Sequence, residues 1–263
     1  MNCSAIAFVR AAWPVCLAIS MLLVVAAPIP AETLGQLADA EARLQYAFLT
    51  ADMRAVEQVL EEIEHYTPAE SVAPLKAYQL AYGHWTLAQL HAQAARDGRR
   101  ESAGMGIKAA RRCVQHARTA RMLNPRMAEA YALEAVCNGM PRSFLRLGAL
   151  RGSCSRSRLL RTALSLEPQN PRVLLIDAMC NTSADEAANL ARWHGVVEAF
   201  GQRLSRSGIP GWGEPEALVM LGEHHLRRGE LLAAREAIER ALLLAPDYRA
   251  ARELIEALAA RSQ

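Results

Sequence analysis

The sequence predicts an all-α fold, and three observations carry that prediction. Alanine, leucine and arginine, all good helix formers, dominate the chain. Aromatic residues make up only 5%, and the β-branched residues that strands prefer are sparse. Apolar residues recur at helical spacing along most of the length. A six-residue turn pattern also recurs three times, at Ala120–Pro125, Ala163–Pro168 and Ala241–Pro246, each time between two such apolar stretches.

The N-terminal segment reads differently. Arg10 is the only charge before Glu32, and an apolar run from Ala11 to Ala27 follows it. Pro28, Ile29, Pro30 and Ala31 then lead into polar sequence. This is the pattern of a secretory signal peptide, expected to be cleaved after Ala31. The alternative is an uncleaved inner-membrane anchor, although the run is short for a span of ~20 residues. Cys16 has no small residue just before it, so no lipoprotein signal is expected. The protein is therefore expected to be exported and periplasmic, with residues 32–263 long enough to bury a core.

Glu32–Thr50 carries an apolar stripe through Leu34, Leu37, Leu44 and Phe48. Asp52 is placed to cap a second helix through Val56, Val59, Leu60 and Ile63, ended by Thr67–Pro68. A third helix begins at Glu70 or Ser71 and has two apolar faces, so both sides of it are expected to be covered. Arg96–Gly106, with three glycines and five charged residues, reads as a loop. Helices follow at Ile107–Met122 and Met127–Cys137, with a short one around Phe144–Leu147. Cys154–Leu166, Pro171–Cys180 and Ala187–Leu204 come next, with Pro171 suited to a first helical turn. After a loop at Ser205–Glu214, two helices span Pro215–Tyr248 and a terminal one spans Arg249–Ala260. The expected organisation is a signal at 1–31 and an acidic helical pair at 32–66. Helical repeats with insertions then fill 67–205, and a final unit with its capping helix occupies 206–263.

Net charge is only +3, but it is unevenly spread. Glu32–Glu70 holds nine acids against Arg43 and Arg54, and Arg96–Arg161 holds fifteen basic residues against four acids. That asymmetry describes either solvated outer helix faces or a surface for an acidic or anionic partner. Nucleic acid is not expected as the partner of an exported chain.

The three turns share an alanine five residues before proline and a leucine two before it. Each precedes a further apolar helix, a spacing that suits stacked helix pairs. Pro215–Tyr248 places Leu218, Leu221, Gly222, His225, Ala234, Ile238, Ala241 and Pro246 at the small and large positions of a 34-residue unit. In this stretch the chain resembles the tetratricopeptide repeat (TPR) family, with His225 departing from the usual large aromatic. The units ending at Pro125 and Pro168 match only in their second helices. The resemblance implies a right-handed α–α solenoid of TPR-like helical hairpins, with the N-terminal helices packed on it. It also implies a groove lined by first helices that binds a protein or peptide. The residues carried over to that groove are Arg172, Leu175 and Met179 in one unit, and Glu216, Val219, Glu223, Leu226 and Arg227 in the last.

Cys113, Cys137, Cys154 and Cys180 lie outside the expected signal, and four cysteines allow three pairings. Cys113 and Cys137 each lie twelve residues from Pro125, while Cys154 and Cys180 lie fourteen before and twelve after Pro168. Residues equidistant from the turn of an antiparallel hairpin sit side by side. The expected bridges are therefore Cys113–Cys137 and Cys154–Cys180, each closing a loop worth on the order of 3 kcal/mol. Four buried free thiols are the alternative. No C-x₂-C spacing, nucleophile elbow, zincin motif or phosphate loop is present. No catalytic residue, cofactor or metal ligand is assigned. The histidines, among them His84, His91 and His116, are expected to be packing or surface residues. Trp85 and Trp193 are expected in the core, and Trp212, between two glycines, is expected to be exposed. The expected role is a non-enzymatic periplasmic scaffold. The alternatives are electrostatic binding to an anionic envelope surface, or an accessory subunit of an envelope enzyme.

Overall fold

Three turns set the repeat, and they share one backbone conformation. Asn124, Glu167 and Ala245, each just before a repeat proline, have φ/ψ of −135/92, −141/80 and −142/83 degrees. Proline's ring bars the helical region for the residue before it, which stops each helix there. The N–H of each stopped residue still donates to the carbonyl of the repeat alanine, Ala120, Ala163 or Ala241, at 2.8, 3.0 and 2.9 Å. All three alanines are fully buried. A larger side chain there would hold the next helix away.

The computed structural model describes residues 31–144, 154–207 and 211–261. These are all-α: eleven helices and one 3₁₀ turn, Glu70–Val72, with no strand among the described residues. The helices are α1 (Ala31–Leu49), α2 (Met53–His65), α3 (Ala73–Arg96), α4 (Glu101–Leu123), α5 (Ala128–Phe144) and α6 (Arg158–Leu166). They continue with α7 (Pro171–Cys180), α8 (Glu186–Ser207), α9 (Glu214–Arg227), α10 (Leu231–Leu244) and α11 (Arg249–Arg261). Each packs on its neighbours in the chain, the pattern of an α–α solenoid, and α1 and α2 both lie against α3. The expected signal segment and the expected helix beyond Phe144 lie outside the described residues. Among the described residues, no helix is long and apolar enough to cross a membrane.

Local chemistry accounts for the ends. Asp52 accepts a 3.0 Å hydrogen bond from the Ala55 N–H and starts α2. Asn170 accepts from the N–H groups of Arg172 and Val173 and starts α7, with Pro171 in its first turn. Gly229, at φ +76°, closes the turn between α9 and α10.

The expected loop at Arg96–Gly106 is mostly helix. Only Asp97–Arg100 separates α3 from α4, and Gly104 and Gly106 lie inside α4. The reason is tertiary. A Cβ on Gly106 would fall 2.3 Å from the Phe144 ring and 3.1 Å from the His91 Cβ, so glycine lets α3, α4 and α5 approach closely. The helix expected to end at Cys137 also runs further, because α5 continues through Pro141 to Phe144. Gly222 likewise sits where α9 and α10 cross, with Ile238 2.8 Å from its would-be Cβ.

The cysteines pair as expected, Cys113 with Cys137 and Cys154 with Cys180, at Cα separations of 6.2 and 5.3 Å. Each bridge straddles a repeat turn. At the third turn the positions twelve residues either side of Pro246 are Ala234 and Leu258, both fully buried. An apolar pair thus stands where the other two turns carry sulfur.

Alkylation of the denatured, unreduced chain should leave Cys113, Cys137, Cys154 and Cys180 unmodified. Cys137→Ala should lower unfolding free energy by about 2–4 kcal/mol in a urea titration. Gly106→Leu should cost about 1–3 kcal/mol by overpacking against Phe144, whereas exposed Gly104→Ala should be neutral or stabilising.

Candidate functional site

The loop before α9 carries Trp212 into the interior, against the expectation of exposure: its side chain is fully buried. Its ring stacks on Tyr82 of α3 with centroids 4.7 Å apart and lies 5.2 Å from Trp85. The indole N–H donates to the Tyr78 hydroxyl at 2.9 Å. The Arg172 guanidinium of α7 lies over the Trp212 ring, 5.1 Å from its centroid. Arg172 in turn donates to Glu41 of α1 at 2.7 Å. Gly213, at φ +113°, turns the chain into α9, and a Cβ there would meet Phe200 at 2.6 Å and Leu175 at 3.0 Å. The flanking glycine pair, read as a sign of exposure, instead lets backbone pass close to Arg172 and Phe200.

This knot lies on the first-helix face to which the groove residues were assigned. Arg172, Leu175 and Val219 are buried there. Glu216 is half-buried, and its carboxylate accepts from the Gly213 N–H at 3.1 Å. Met179, Glu223 and Leu226 are half-buried, and Arg227 is exposed. The exposed hydroxyl of Tyr46 in α1 also donates to Asp247 in the α10–α11 turn at 3.4 Å. A mainly apolar cavity of about 360 Å³ lies beside that contact, lined in part by Leu49, Pro215, Leu244 and Tyr248. Helix α1 therefore lies against part of the first-helix face, through Glu41 at Arg172 and Tyr46 at Asp247.

Burial sets the electrostatics. It pushes the Glu216 carboxyl up to about 7, against N–H bonds from its own backbone and Gly213 and the nearby Arg172 charge. The Tyr78 hydroxyl is raised mainly by burial as well. Burial works against the Arg172 charge, but Tyr78, Glu41 and Glu129 around it hold the guanidinium protonated.

The histidines divide into two kinds. His224 and His225 have carboxylate partners: Glu186 at 2.8 Å and Glu230 at 2.6 Å. The second bond explains the histidine at a usual aromatic position, since Glu230 sits in the turn that His225 closes. His84 is different. It is 3% exposed, and neither ring nitrogen has a hydrogen-bond partner. Its ring stacks on that of His116 at 5.4 Å, and Glu64 approaches its Nε2 to 4.0 Å. Burial, then His116 and Arg112, pushes His84 down to about 3, so the ring is neutral. Sequence reading assigned no ligand here, because the three residues lie on three helices. The usable signal was register, since His84 and His116 flank the α3–α4 turn about one helical turn out of step.

The arginine-rich middle is partly structural. Glu134, 2% exposed, is held by Arg118 at 3.1 Å and by a close contact with Arg121. Lys108, Arg111 and Arg112 stay exposed along α4.

No model of a known protein family matches the chain, and no curated protein matches it. Among solved structures, the chain is similar to a thermophilic TPR protein from Thermus thermophilus. The identity is 16% and the TM-score 0.45, over 86% of this chain and 98% of that one.

Trp212→Ala should destabilise the chain by about 3–5 kcal/mol in urea unfolding, and Trp212→Phe by less, because an aromatic ring is kept while the bond to Tyr78 and part of the buried volume are lost. The raised Glu216 pKa has a sign. The folded state holds its proton more tightly than the unfolded chain. Its contribution is therefore full below the ordinary value of 4.5 and lost as pH rises through about 7. Urea midpoints measured at pH 5 and pH 8 should differ less in Glu216→Gln than in the unsubstituted chain.

Proposed function

We propose that this chain is an exported, non-enzymatic TPR-like scaffold that binds a protein or peptide in the periplasm. The observation that most supports it is the regular stacking of helix pairs on three equivalent turns. Stacked pairs of this kind present their first helices on one side, as an extended surface for a partner. The N-terminal pattern and the two cystine bridges support the oxidising compartment. In this reading Met179, Glu223, Leu226 and Arg227 form the accessible edge of the groove. Arg172, Leu175, Glu216 and Val219 hold that edge in shape from beneath.

A second reading, attachment to an anionic envelope surface, draws support from exposed Lys108, Arg111 and Arg112 on α4. It differs in salt dependence, because exposed charge pairing is screened within about 8–10 Å at physiological salt.

A photo-crosslinking residue placed at Met179 or Leu226 in cells should give one discrete adduct. The same residue at Arg235, exposed on α10, should give none. Adducts of equal strength from all three positions, or from none, would count against the groove. Under the second reading, the chain would bind anionic vesicles at low salt and release them in roughly half-molar salt.

A further inference from the structure

His84 presents a chemical problem that the scaffold reading does not absorb. A buried imidazole with neither nitrogen hydrogen-bonded has given up its bonds to water and received none in return, which destabilises the fold. An apolar residue at the same place in α3 would avoid that cost. What surrounds the ring is a set of donors. Glu64 comes from the last turn of α2, His84 from the middle of α3 and His116 from α4. One ligand atom from each of the three lies within 4.8 Å of the others.

We propose that Glu64, His84 and His116 form a binding site for a divalent transition-metal ion of the zinc type. Two imidazoles and a carboxylate suit zinc and its late first-row neighbours, whereas magnesium and calcium prefer all-oxygen shells. Three protein ligands leave a fourth position for water. Glu64 is exposed and His116 half-buried, so that position faces solvent while His84 anchors the ion from inside. Metal–ligand bonds of about 2.0–2.1 Å require tetrahedral donors about 3.3 Å apart, so the three must draw together by roughly an ångström. Glu64 is free to do so, because its exposed side chain has no hydrogen bond beyond the long approach to His84. Its backbone is already fixed, since Lys76 donates to the carbonyls of Glu64 at 2.8 Å and Tyr66 at 2.5 Å.

Nearby charge tunes the site. Glu64 is the one acid of the set, and Lys76 and Arg112 oppose a cation from α3 and α4. His65, next in sequence, turns its Nδ1 to the Glu61 carbonyl at 2.8 Å. The ion would tie the acidic α2 to both helices of the α3–α4 hairpin.

The test uses the full chain without a histidine tag, stripped with a chelator and titrated calorimetrically with zinc chloride. Cobalt chloride serves as a spectroscopic probe of coordination. Saturable binding of one zinc per chain is expected, with a raised melting temperature and no effect of magnesium chloride. His116→Ala and Glu64→Gln, both at accessible positions, should each weaken zinc binding on the order of tenfold or more. His65→Ala should leave it unchanged. His84→Gln should abolish the visible cobalt band, and the two accessible variants decide the matter if that core substitution unfolds the chain. Absence of saturable zinc binding would overturn the site. So would an affinity that His116→Ala and Glu64→Gln leave unchanged.

Discussion

Trp212 and the groups that enclose it join parts of the chain that an array of repeats would leave apart. In a simple solenoid each unit touches only its neighbours, and stability is a sum of nearest-neighbour terms. Here the indole ring packs against Tyr82 and Arg172 and donates to Tyr78, while Arg172 reaches Glu41. Helices α1, α3 and α7 and the entry to α9 thus share one buried cluster. Because these contacts span much of the sequence, their loss would loosen the N-terminal helices from the last unit.

The same cluster explains the character of α3. Fifteen of its 24 residues are buried, covered by α1 and α2 on one side, α4 on another and Trp212 on a third. Such a helix has little surface left for water, so its polar groups need partners inside the protein. Several lack them: the Gln79 Oε1, Tyr82 hydroxyl, Trp85 indole N–H, His91 Nδ1 and both His84 nitrogens. Unpaired buried polar atoms are uncommon in folded proteins. One helix therefore combines the structural clamp at Tyr78 and Tyr82 with a ligand-ready imidazole at His84.

Between these two ends, the middle of the chain is held by covalent and ionic links. Cystines straddle the first two repeat turns, and a buried apolar pair takes their place at the third. Glu134, buried between Arg118 and Arg121, fixes α5 to α4 beside the first bridge. Part of the positive charge in this region thus neutralises a buried carboxylate, and what remains exposed lies along α4.

The sequence by itself determined the features that depend on local spacing. Apolar periodicity located the helices, and proline after an extended residue stopped three of them in one conformation. Distance from those turns selected the cysteine pairs. Spacing says which face of a helix is apolar, but not which distant element covers it. That is why Gly106 read as part of a break although Phe144 makes it a close crossing, and why Trp212 read as exposed although Tyr82 and Arg172 pack against it. The meeting of Glu64, His84 and His116 belongs to the same class. Only the tertiary structure decided it, because three helices must cross at one point before their side chains share a neighbour.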